Sequence, residues 1–362
     1  MTVIFPFTLA VLFLLRFICP RTPKGEQTYF WLASLLLAAL LIFRDERIGA
    51  DLGRYNTHFV TISRLSMWEV FVYYTHNSFF YLWMYITGKL SGGNYQVFLV
   101  LTAIVCIVPP LYLIKRYSKS SFYSMLVFYC FGFYFFLYSG LKQAMAMGIL
   151  CFAFKAILDR NLKLFITFTI LAAVFHFSAL IFMPAYFIAT TGKSKMVVLA
   201  YTLLGFGVLI FRQQLVQLMA EEYDAAVLAA PLAGVGGNVV FKLMIAAAGY
   251  LLCTPNGERA SNVKMLYFKF MIVSAFIQLF AVYGNVFERL ADYYYFYFVL
   301  YLPEIIHSLS QPAETGNLIC LEGHNARLAK VAIIFILLSY YVAFYLHIPG
   351  LRVYRSWLNF GG

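Results

Sequence analysis

Long apolar runs, broken by short polar interruptions, fill almost the whole chain. Val97–Leu113, Met196–Phe211, Leu266–Val282 and Val331–Leu346 are nearly continuous apolar stretches. A hydrocarbon core about 30 Å thick is crossed by about 20 helical residues. The pattern predicts helices over 2–18, 28–43, 95–114, 122–137, then, after a short break at Tyr138–Gln143, on to 157, and over 196–212, 237–252, 265–283, 292–308 and 329–348. The segment 163–190 is apolar but is interrupted by Phe175-His176-Phe177-Ser178. Each half offers about 12 residues, or roughly 18 Å of helix. That is too short for a span and predicts a short helical hairpin with His176 at its tip. Between 66 and 92 the chain carries Trp68, Tyr73, Tyr74, Phe79, Phe80, Tyr81, Trp83 and Tyr85. Such a composition suits a pair of interfacial helices better than a lipid-bathed span.

Composition sharpens this into a class. Of 362 residues, 63% are hydrophobic and only 12% charged, and no soluble domain of this length can hide that much apolar surface. The expected fold is an all-α polytopic membrane protein, a single domain over 1–362, with about ten to twelve transmembrane helices or half-helices. The first run, Thr2–Leu15, has no basic flank or small-residue cleavage site and reads as a retained helix. Cys19, Cys106, Cys130, Cys151, Cys253 and Cys320 have no metal-ligand spacing and read as inert buried thiols.

Charge then orients the helices. The net charge is +12, and basic residues gather on the cytoplasmic side of membrane proteins. Placing the loops with Arg21/Lys24, Lys115/Arg116/Lys119, Arg160/Lys163, Lys193/Lys195, Arg259/Lys264 and Arg327/Lys330 inside leaves 44–94 as a large outer-face loop. The acidic loop 213–235, with Glu221, Glu222 and Asp224, is then also outer. Arg352 and Arg355 are the misfit.

With that topology four polar clusters meet on the outer face. The densest holds Arg44, Asp45, Glu46, Arg47, Asp51 and Arg54 between apolar neighbours. Charges beside a bilayer are costly and mark functional sites. Asp51, between Gly49 and Gly53, is a candidate base; the plainer possibilities are a solvated loop carboxylate or a helix N-cap. Lys142, in Ser139-Gly-Leu-Lys-Gln143, sits at a helix start, where the dipole opposes a cation. It therefore wants a partner anion, unless it snorkels to the interface. His176 is either a second candidate base or a hydrogen-bonded turn residue. Arg289 has the planar fork suited to phosphate, or it anchors to lipid. The aromatic run Tyr293–Phe298 reads as an interfacial belt or, less favoured, a sugar-stacking platform.

In this order the motifs resemble the EpsG family of Wzy-like polysaccharide polymerases. The resemblance lies in Arg44 or Arg47 followed by Gly49, Asp51 and Tyr55, then Ile114-Lys-Arg-Tyr-Ser118. Next come Gly140-Leu-Lys-Gln-Ala-Met-Ala146, Phe175-His-Phe-Ser-Ala-Leu180 with Pro184, and finally Arg289 before an aromatic-rich helix. It covers about 44–303. Lys142 departs from the family's arginine, keeping the charge but losing the fork. The resemblance implies polymerisation of undecaprenyl-pyrophosphate-linked oligosaccharide repeats at the periplasmic face of a bacterial inner membrane. The product would be O-antigen (lipopolysaccharide), capsule or exopolysaccharide. It implies lipid-linked glycan as donor and acceptor, membrane lipids as partners, room for a chain-length regulator protein, and no nucleic acid. The first outer loop is also similar to the acidic loop of GT-C glycosyltransferases, an analogy at fold level.

The residues suit that chemistry. Arg44, Arg47, Lys142 and Arg289 are cations for a pyrophosphate leaving group; Tyr55 and Gln143 stand beside them as sugar- or pyrophosphate-binding residues. Asp51 or His176 would take the acceptor proton. The sequence has no Gly-rich phosphate loop or Asp-x-Asp metal motif, and no cofactor or metal is expected. Two other functions fit the same pattern: a GT-C enzyme adding one sugar from a polyprenyl phosphate, and a lipid-linked oligosaccharide flippase.

Overall fold

The computed structural model describes residues 4–190, 235–252, 258–309 and 323–347, with the isolated positions 207, 210, 211 and 214. The anticipated helix 196–212 and outer loop 213–235 otherwise lie outside the described residues. All regular elements among those described are helical. The first eight are α1 (Ile4–Ile18), α2 (Pro23–Ile42), α3 (Leu52–Ile62), α4 (Met67–Tyr73), α5 (Ser78–Leu90), α6 (Tyr95–Tyr117), α7 (Ser121–Cys130) and α8 (Phe133–Phe136). Then come α9 (Leu141–Leu158), α10 (Leu162–Phe175), α11 (Ala185–Thr190), α12 (Val235–Leu252), α13 (Glu258–Leu279), α14 (Val286–Tyr295), α15 (Phe298–Ser308) and α16 (Gly323–His347). Short 3-10 turns occupy Phe177–Phe182 and Phe280–Tyr283. Among the described residues, five stretches are long and apolar enough to cross a membrane: Pro23–Ile42, Tyr95–Tyr117, Leu141–Leu158, Val263–Tyr283 and Gly323–Ala343; six shorter apolar helices accompany them. The fold is an all-α polytopic membrane protein.

Local chemistry explains where the helices differ from the hydrophobic pattern. α2 begins at Pro23, five residues before the apolar run, because Thr22 caps it. The Thr22 Oγ1 accepts from Gly25 N at 3.2 Å, and Pro23 fits the first turn. The expected helix 122–137 breaks in two at Gly132, whose φ of +82° ends α7 and opens α8. The segment 66–92 forms two helices. α4 is closed by a Ser66–Glu69 capping box. α5 has 13 residues, about 20 Å of helix, and turns Phe80, Tyr81 and Met84 inward.

The chain divides into two compact units. The first comprises Met1–Ala153, Thr167–Phe177 and Arg327–Gly362. Helix association in lipid relies on packing and interhelical hydrogen bonds, each worth about 0.6–2 kcal/mol. Buried tyrosines supply several here: Tyr129 Oη donates to the Phe5 carbonyl and Tyr134 Oη to that of Leu37, both at 2.8 Å. The helix ends sort by charge. Arg16 pairs with Glu26 at 2.7 Å and lies over the Phe122 ring, and Lys115 lies 4.1 Å over Trp31. At the far ends of α2, α6 and α8, Arg44, Gln96 and Leu137 meet instead. The Lys115–Lys119 segment and the Arg44–Asp51 segment therefore lie toward opposite ends of this helix group.

The second unit comprises Phe154–Ile166 and Ser178–Ala326. α13 is its centre, packed against α11, α12, α14 and α15. Tyr186 Oη donates to the Arg160 carbonyl at 2.9 Å and its ring lies 5.4 Å from Phe165, so the chain folds back after α10. α12 seats closely on α15: a Cβ on Gly249 would lie 1.8 Å from Tyr301 Oη, and that hydroxyl reaches the Ala246 carbonyl at 3.3 Å.

Candidate functional site

The loop after α2 is latched onto the break between α8 and α9. Arg44 is wholly buried; its Nη1 donates to the Leu137 carbonyl at 3.1 Å, and the guanidinium lies 5.1 Å from the Tyr138 ring centroid. Its own carbonyl accepts from Gln96 Nε2 at 2.9 Å. Nε and Nη2 have no protein partner among the described residues. Burial pulls the guanidinium below its usual range, because desolvation disfavours the charge and its hydrogen-bond acceptor is neutral. Ala50 N donates to Ser139 Oγ at 3.2 Å. Between them Gly49 has φ +142°, and a Cβ there would sit 2.1 Å from the Tyr138 carbonyl oxygen. Only glycine fits.

In this conformation Arg44 has no exposed surface, and it holds the loop through the Leu137 carbonyl. Arg47 and Arg54 are exposed; Asp45 Oδ1 accepts from the Arg47 backbone N at 2.9 Å and lies 3.9 Å from its Nε. Asp51 is half-buried at the N-cap of α3, but its side chain makes no cap hydrogen bond. Tyr55, one turn on, is buried, its N bonded to the Asp51 carbonyl at 3.1 Å. Tyr95 Oη pins the start of α3 through the Leu52 carbonyl at 2.8 Å.

Lys142 and Gln143, in the first turn of α9, are both buried. Lys142 Nζ donates to Tyr81 Oη at 2.7 Å and lies 4.4 Å from the Tyr81 ring, 5.6 Å from Phe80 and 6.0 Å from Tyr55. These rings supply the electron density that the helix dipole withholds. The wall continues through Tyr74, 4.3 Å from Tyr81, and His58, 5.6 Å from it.

His176 is buried directly after α10, where its N bonds to the Ala172 carbonyl at 2.9 Å. Its neighbour Phe177 donates N–H to Asn77 Oδ1 at 3.0 Å, and Phe175 meets Phe79 edge-on at 5.9 Å. α5 is thus the common wall: it holds Lys142 through Tyr81 and the His176 tip through Asn77. Three of the four expected clusters converge on it within the first unit.

Arg289 belongs to the second unit. It lies inside α14 rather than ahead of the aromatic helix, because α14 begins at Val286. Glu288, Arg289 and Asp292 form its half-buried face. Tyr293 Oη and Ser178 Oγ share a hydrogen bond at 2.9 Å, and Tyr294 Oη donates to the Ile181 carbonyl at 2.8 Å. The run Tyr293–Phe298 is buried throughout. It is core, neither belt nor open platform, because the chain bends between α14 and α15 and packs both faces.

Tyr81, Asn77, His58 and Ser139 were not anticipated, since nothing local links them to Lys142, His176 or Gly49. Lys242 and Gln278 also went unread, although each is a lone polar residue in an apolar run, a signal in itself.

Fold and site together define a polytopic helical membrane protein with a cluster of cations, aromatic rings and one half-buried carboxylate. The chain belongs to the EpsG family, whose sequence pattern matches residues 27–359. This places it among membrane proteins of polysaccharide biosynthesis, of polymerase type. No curated protein and no solved structure matches the chain.

Proposed function

We propose that the protein is a glycosyltransferase that polymerises undecaprenyl-pyrophosphate-linked oligosaccharide repeats at the periplasmic face of a bacterial inner membrane. The observation carrying this reading is the convergence on α5 of the Arg44–Tyr55 segment, Lys142/Gln143 and the His176 tip. Family membership supports the reaction class. In the step proposed, an acceptor sugar hydroxyl oxygen bonds to the anomeric carbon of the donor glycan. The bond from that carbon to pyrophosphate breaks, and undecaprenyl pyrophosphate leaves. The hydroxyl proton passes to Asp51, or to His176 as the second choice. Arg47 and Lys142 are the cations assigned to the leaving group, with Tyr55 and Gln143 beside them, and Arg44 positions the loop that carries Asp51; Arg289, in the second unit, is assigned to phosphate separately. The acidic first outer loop of GT-C enzymes remains an analogy that favours the same assignment.

A deletion strain tests the function. A surface glycan reduced to one repeat supports polymerisation, whereas a missing repeat points to a flippase or an assembly enzyme. Asp51→Asn keeps the shape and removes the charge, so a stably inserted variant should lose about 10²–10⁴ in rate. Near-normal polymer from Asp51→Asn together with none from His176→Ala would move the base to His176.

A further inference from the structure

The second unit contains a group of polar side chains that the assignments above do not use. Lys242 is on α12, in the apolar sequence Val239-Val-Phe-Lys-Leu-Met-Ile. Gln278 is near the end of α13. Both are almost fully buried. Lys242 Nζ donates one hydrogen bond, to Gln278 Oε1 at 2.9 Å, and rests 4.3 Å over the Tyr295 ring. An ammonium has three N–H groups. Among the described residues the other two have no protein acceptor, and Gln278 Nε2 has none either.

The acceptors that would satisfy these donors are close by but not joined to them. Glu288 and Asp292 are one turn apart on α14, half-buried, and both attract the Lys242 charge. Yet among the described residues neither carboxylate forms an ion pair or hydrogen bond with Lys242 or Gln278. Arg289 shares their face of the helix. Gly249, two turns past Lys242, seats α12 against Tyr301. The donors thus lie on α12 and α13 and the carboxylates on α14, whose Tyr295 meets Lys242. Buried polar groups normally find partners, and unpaired ones cost about 1–3 kcal/mol each. Unsatisfied buried donors beside half-buried carboxylates suit a third body that can both donate and accept at several points. A hydroxyl-rich molecule has that chemistry.

We propose that Lys242 and Gln278, facing Glu288 and Asp292, form a glycosyl-binding subsite in which sugar hydroxyls bridge α12 and α13 to α14. That the sugar is part of the polymerase's own substrate rests on the function proposed above; the binding of a sugar does not.

The test uses full-length protein in lipid nanodiscs. The probe is a pool of repeat-length oligosaccharides released by partial acid hydrolysis of the strain's own surface polysaccharide, with binding followed by native mass spectrometry. Wild type should bind the pool. Lys242→Met and Gln278→Leu should each weaken binding by about tenfold or more, the range expected for lost hydrogen bonds to charged or buried groups. If Lys242→Met fails to insert, Gln278→Leu carries the comparison, since it removes no charge. Failure of wild type to bind any oligosaccharide, or equal binding by folded variants, would overturn the subsite and leave an internal charge network. A deletion strain that still makes full-length polymer would defeat the polymerase reading while leaving the binding result standing.

Discussion

Gly49 and Gly53 flank Asp51, and the sequence treats them alike; the structure does not. Gly49 needs its positive φ and its missing Cβ to meet the Tyr138 carbonyl, while nothing lies within 4 Å of a Cβ on Gly53. Gly49→Ala should therefore cost about 1–3 kcal/mol from backbone strain alone, and lift the loop. Gly53→Ala, inside α3, should be neutral or stabilise by about 0.5–1 kcal/mol. Hydrogen exchange over 44–55 and 137–140 separates them: faster exchange and shorter polymer in the first variant only. Equal behaviour of the two would mean that the latch does not govern the loop. The same contrast shows what was legible at this scale. Charge density picked out the right loop, but the division of labour between buried Arg44 and exposed Arg47 depends on Leu137 and Tyr138, which no local pattern ties to it.

Among the elements, α5 carries the most weight for its length. Its first turn follows Asn77 at φ +54°, a conformation that costs most L-residues about 1–2 kcal/mol and that asparagine tolerates. The same side chain accepts from Phe177 N. Asn77→Gly should keep the turn and lose only the acceptor, whereas Asn77→Ala should lose both. Thermal melts of the purified variants should rank wild type above glycine above alanine. A glycine variant matching wild type would show that the bond to the His176 tip contributes nothing. Element existence was readable wherever apolar length exceeded polar interruption, as in α6 and α16. Boundaries failed where polar residues begin a helix, as with Pro23–Gln27 and Asn285–Asp292. They failed too where glycine breaks a run that is apolar on both sides, as at Gly132.

For the molecule as a whole, helical content and membrane character were fixed by composition, since a bilayer leaves few other choices. The two units were not apparent, because their segments alternate along the chain and each is as apolar as the next. Orientation is the remaining prediction. Lys119 follows the end of α6 that lies away from Arg44, so the basic loop and the candidate site should face opposite compartments. In an otherwise cysteine-free protein, Lys119→Cys in intact cells should resist an impermeant thiol reagent until permeabilisation, while Arg54→Cys should react at once. Early labelling of Lys119→Cys would invert the topology and remove the periplasmic assignment.

The Arg44–Leu137 hydrogen bond also has a bearing on biosynthesis. Its partners are separated by 93 residues. At about 5–20 residues per second of synthesis, the ribosome takes roughly 5–20 s to deliver the acceptor after the donor. During that interval α1 and α2, and later α6, can enter the bilayer, while Arg44 has no Leu137 carbonyl to bond. The guanidinium must wait in water, and the loop that carries Asp51 must wait with it. Its closure is then a late event of membrane insertion, timed by the emergence of α7 and α8.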